Sequence, residues 1–131
     1  MANPNIVNVT GIYGTTTYYT PSGTSAVVLL PNAASSGKVY KINQIVVANV
    51  TASAANATVS IYTNGAVAQG SAPSGGTAYP VISTVAVPGN ASLIAVDKTT
   101  AIYLQEGTSI SITSGTGSAL TFSISYEDIS S

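Results

Sequence analysis

From Leu120 to Tyr126 every second residue is apolar: Leu120, Phe122, Ile124 and Tyr126 face one way, and Thr121, Ser123 and Ser125 the other. A strict period of two sends alternate side chains to opposite faces of an extended chain, so the segment reads as a strand with one buried face. The pattern recurs in Ala57–Thr63 and Thr108–Thr113. Further strands are expected over Asn5–Tyr13, Thr15–Tyr19, Ser25–Leu30, Lys38–Thr51, Thr77–Val87, Ala91–Val96 and Ala101–Gln105. No run carries the 3.6-residue apolar repeat of a helix.

About ten short strands are too many for an ordinary open sheet, and they suit an all-β, two-sheet antiparallel β-sandwich, jelly-roll or Ig-like. Within Lys38–Thr51 the alternation changes phase near Gln44, which predicts a bulge or a strand buried on both faces. Gly, Asn and Pro clusters punctuate the strands. Gly115-Thr116-Gly117 reads as a hairpin turn, Ser35-Ser36-Gly37-Lys38 as a turn leading into a strand, and the Gly-, Ala- and Ser-rich stretch Gly65–Gly76 as a mobile or partner-contacting loop. With 131 residues and no linker, residues 1–131 are expected to form one domain. Residues 1–13 are a candidate N-terminal arm or exchanged strand.

Composition narrows the chemistry. Charged residues make up 5% of the chain, three Lys against four Asp and Glu, with no His, Cys or Trp. Without His the commonest general acid-base group is missing, and without Cys there is no thiolate nucleophile, zinc-thiolate site or disulfide. The remaining arrangements are weak. Ser35 precedes Lys38 by three residues without a Ser-Lys dyad motif, Asp97 and Glu106 flank a short strand as a carboxylate pair, and Asp97 or Glu127-Asp128 would make a sparse calcium site. The reading is therefore a protein that is not an enzyme and takes no cofactor or metal.

Three lysines cannot track a phosphate backbone, no apolar run spans a membrane, and the N-terminus lacks a secretory pattern, so neither nucleic acid nor membrane is an expected partner. Low net charge gives little repulsion between copies. Few lysines are available to guard strand edges. Both favour a homo-oligomer or an assembly component. Eight tyrosines against one Phe mark Tyr13, Tyr18 and Tyr19 as candidate interface residues, because a ring with a polar tip suits wet interfaces. A carbohydrate-binding module is the alternative for the tyrosines at 13, 18, 19, 40, 62, 79 and 103.

Four stretches, "YYTPSGTSAVVLL", "VYKINQIVVANVTASAANATVSIYTNG", "VAVPGNASLIAV" and "AIYLQEGTSISITSGTGSALTFSISYEDIS", give the chain a further character. Between about Tyr13 and Ile129 it resembles small β-sandwich virion proteins of tailed phages, in particular those of marine cyanophages. The resemblance rests on strand-turn-strand signatures and not on a chemical motif. It implies a capsid decoration protein bound to the major capsid protein, or a neck, tail or fibre-base component bound to other virion proteins. Such a protein is made in the host cytoplasm and resides in the virion.

Overall fold

The computed structural model describes residues 9–130. Nine strands follow one another: β1 (Gly11–Tyr19), β2 (Val27–Asn32), β3 (Lys38–Asn49), β4 (Ala55–Tyr62), β5 (Ala78–Val87), β6 (Ser92–Val96), β7 (Ile102–Leu104), β8 (Thr108–Ser114) and β9 (Leu120–Ser130), with one 3-10 turn at Lys98–Thr100. Every pairing is antiparallel. One sheet runs β1-β9-β3-β6, with β7 on the remainder of β3, and the other runs β2-β8-β4-β5.

This is a two-sheet β-sandwich, and the order decides between the two topologies left open by the sequence. The pairs β1:β9, β2:β8, β3:β6 and β4:β5 nest inside one another, as when a long antiparallel ribbon is rolled up. That is the jelly roll. Among the described strands β4 and β5 are the only consecutive ones that pair. The Gly115-Thr116-Gly117 turn is therefore not a hairpin. It carries the chain from β8 in one sheet to β9 in the other, held by Gly115 N donating to Asn56 O at 2.8 Å.

The period-two faces meet in one core. Phe122, Ile124 and Leu120 from β9 and Ile42, Ile45 and Val47 from β3 pack against Leu29, Val59, Ile110 and Ile112 of the opposite sheet, all of them buried. The phase change in β3 is a bulge, because the register against β9 slips between Ile42 and Gln44 and leaves Asn43 unpaired. One extra residue lets both Ile42 and Ile45 point inward. The Asn43 side chain donates to Glu127 Oε2 at 3.1 Å.

Two buried asparagines fasten the sheets at their corners. Asn32, at the end of β2, donates through Nδ2 to Lys38 O and Leu104 O, both at 3.0 Å, and its Oδ1 accepts from Ser36 Oγ at 2.6 Å. Asn49, at the end of β3, donates to Ser53 O at 2.8 Å and Val87 O at 3.0 Å, and accepts from Thr51 N and Oγ1. In each case the side-chain amide crosses to a backbone carbonyl of the opposite sheet through a buried bond, Asn32 to Leu104 O and Asn49 to Val87 O.

The stretch expected to be a mobile or partner-contacting loop is pinned to its own sandwich. Between β4 and β5 the chain folds across the side of the sandwich. Gly70 N donates to Val28 O, Val28 N donates to Ser71 O, and Gln69 Nε2 donates to both Leu29 O and Thr17 Oγ1. Gly65 packs so closely that a Cβ there would lie 2.6 Å from Thr108 O and closer still to Asn32 O. Of the candidate N-terminal arm, residues 1–8 fall outside the described residues, and Gly11–Tyr13 pair with Ser130–Asp128 of the same chain.

Candidate functional site

The groups that carried residual chemical readings are occupied structurally. Asp97 caps the 3-10 turn, its Oδ1 accepting from Thr99 N at 2.9 Å, Thr99 Oγ1 at 2.6 Å and Thr100 N at 3.2 Å. Those bonds stabilise the carboxylate and hold its pKa below the ordinary value. Glu106 is buried, and its Oε2 accepts from Gly37 N at 2.6 Å. Lys38 donates to Asp128 Oδ2 at 3.1 Å, while Ser35 sits in the expected turn with φ of 60°. Among the described residues no three His, Cys, Asp or Glu side chains gather as a metal site. No described helix is long and apolar enough to cross a membrane.

A shallow groove of about 320 Å³ lies between Pro31, Ser36, Lys38 and Tyr40 on one side and Gly65–Ala68 on the other. Its walls are mostly small side chains. Tyr40, one of the lining residues, tilts against Tyr126 with ring centroids 4.9 Å apart. Both phenols are pushed above the usual tyrosine value, first by burial; Asp128 adds to this at Tyr40, and Tyr40 and then Asp128 at Tyr126. The groove offers a lysine already paired with a carboxylate and no open aromatic platform.

The tyrosines do not form one surface. Tyr19 packs against the core, close beside Gly70, and Tyr62 is buried with its hydroxyl accepting from Gly76 N at 3.0 Å. The strongly exposed ones are Tyr13 and Tyr18 on β1, Tyr79 on β5 and Tyr103 on β7. Register assigns the β1 pair to different faces. Tyr19 stands opposite Phe122, an inward residue, so Tyr13 shares the inner side with Tyr19, whereas Tyr18 stands opposite Ser123 on the outer side. Of the three candidate interface residues, Tyr13 and Tyr18 are free to contact a partner and Tyr19 is committed to the fold.

What distinguishes β1 is its edge. The strand pairs with β9 residue for residue over Gly11–Tyr19, without a register shift, and it contains no proline and no charged residue. Its other side has no backbone partner among the described residues. The remaining edges are blunted, as sheet edges in soluble proteins usually are. β2 is covered by Gly70 and Ser71, β5 carries Pro80, two register shifts and Thr84 at φ of 49°, and β6 and β7 are five and three residues long.

Comparison of the chain with models of known protein families found no match, and comparisons with curated proteins and with solved structures likewise matched nothing.

Proposed function

We propose that this chain is a non-enzymatic structural protein of a virion, a capsid decoration protein that binds the outer surface of the major capsid shell. The observation that carries the reading is the surface of the sandwich. It joins a long uncharged strand edge to exposed Ile12, Tyr13 and Tyr18, and among its few charged groups Asp97 caps a turn and Lys38 pairs with Asp128. A surface of hydroxyls and backbone groups can be buried against a neighbour without stranding charges, whose desolvation is costly. The jelly roll agrees, since viral capsid domains are among the proteins built on it, although a fold alone does not fix a function. The resemblance to phage virion proteins supplies the setting.

Quantitative mass spectrometry of purified particles tests the reading. A decoration protein is expected in a copy number that follows the capsid lattice. A number matching the tail axis would move the chain to the neck, tail or fibre base. Its confinement to the lysate of infected cells, with none in the particle, would overturn the proposal.

A further inference from the structure

We infer that β1 is a self-pairing edge: two copies of this chain join β1 to β1 in antiparallel fashion about a two-fold axis at Thr15, making one continuous sheet across both molecules. The inference concerns the isolated chain and stands independently of the virion reading.

The register argues for a second copy as the occupant. Antiparallel pairing about Thr15 sets residue 12 of one copy opposite residue 18 of the other, and residue 13 opposite residue 17. Ile12 and Tyr18, both more than half exposed on the outer side of β1, then cover each other twice across the axis. Aromatic and β-branched side chains directly opposite one another form one of the favourable cross-strand pairs. Tyr13 meets Thr17 on the inner side in the same way. An isologous contact requires a surface complementary to itself, and this nine-residue strand meets that condition along its length.

Charge and shape permit the approach. β1 has no ionisable side chain except its tyrosines, and the closest carboxylates, Glu127 and Asp128 on β9, are engaged by Asn43 and Lys38. Across the axis the two β9 strands stand three strand spacings apart, about 14 Å, which exceeds the screening length at physiological salt. The second sheet does not obstruct. Gln69 bonds Thr17, and Gly70 lies against the Tyr19 ring, so the segment covering β2 stays beneath β1. A strand about 30 Å long covers less surface than the roughly 1,200 Å² of self-standing complexes, so the free dimer forms as concentration rises and exchanges quickly.

Sedimentation velocity over a concentration series reads the association, with charges introduced at the axis as the test. The wild-type chain is expected to shift from monomer to dimer towards roughly 100 μM, within the range open to so small a contact. Thr15 is exposed, and T15K and T15E are each expected to weaken association by about fivefold, since like charges directly opposite destabilise a strand pair. Mixing T15K with T15E is expected to restore a dimer containing one copy of each. The chain has no cysteine, so T15C gives an independent reading through a disulfide-linked dimer formed under mild oxidation even if a charged variant folds poorly. A wild-type monomer at every concentration up to about 1 mM, the weak limit of specific association, would overturn the inference. So would T15K and T15E variants that dimerise like wild type, a mixture no better than either alone, or a T15C variant that forms no linked dimer.

Discussion

Replacing Asn32 by Ala removes three hydrogen bonds from a fully buried corner: Nδ2 to Lys38 O, Nδ2 to Leu104 O, and Ser36 Oγ to Oδ1. Each such bond contributes about 1 kcal/mol net, and polar groups left buried without a partner add to the loss. The sum is about 3 to 4 kcal/mol, a large share of the 5–15 kcal/mol that holds a domain together. Urea unfolding should show the midpoint falling while the m-value stays at its wild-type value, because the same surface is exposed on unfolding. Asn32→Asp sharpens the argument. It places a carboxylate oxygen against two carbonyl oxygens that now accept from an amide, and it should cost at least as much at neutral pH. Ser36→Ala, which loses a single bond, should cost about 1 kcal/mol. Loss of less than about 1 kcal/mol in Asn32→Ala would refute the assignment of this residue as a tie between the sheets.

Gly65→Ala should lower the melting temperature, since Gly65 is buried and the added Cβ would press on Asn32 O and Thr108 O; an unchanged melt would show that the loop can move away. Carboxyl NMR titration should put Asp97 below the ordinary value for aspartate. Because its folded pKa is the lower one, the stability it contributes is present above the unfolded value and lost as pH falls through the folded value, and a normal midpoint would contradict the capping geometry. Tyr40 and Tyr126 should ionise above free tyrosine in an alkaline absorbance titration. Here the folded pKa is raised, so the stability linked to the two phenols is present below the unfolded value and lost as pH rises through the folded values; a single unshifted transition for all eight tyrosines would count against their burial.

A strand such as β9 was legible because alternate residues of its first half are buried, and the β3 bulge was legible because a slip of one residue inverts that pattern. β1 was read as two segments broken at Gly14. It is one strand within the described residues, since an exposed edge position tolerates a glycine with nothing packed over it. β9 runs on to Ser130, past the expected end at Tyr126, because Glu127 and Asp128 find partners in Asn43 and Lys38 on or beside β3. Neither sheet tie could be seen in advance. Asn32 follows a proline and looks like a turn residue, and its decisive acceptor, Leu104 O, is 72 residues away. Asn49 opens an Asn-Val-Thr glycosylation sequence, yet its side chain is buried and bonded to Val87 O across the sandwich. The shortage of lysine predicts edges with little charge to guard them, but only strand order singles out β1 among the described strands, since β2, β5, β6 and β7 are covered, irregular or short.

An electron-microscopy reconstruction of purified particles addresses the central claim most directly. The account predicts density for this jelly roll on the outer capsid surface, repeated with the lattice, with the β1 edge buried against a neighbouring protein chain. Particles whose capsid surface lacks that density, or in which the β1 edge faces solvent in every copy, would contradict it.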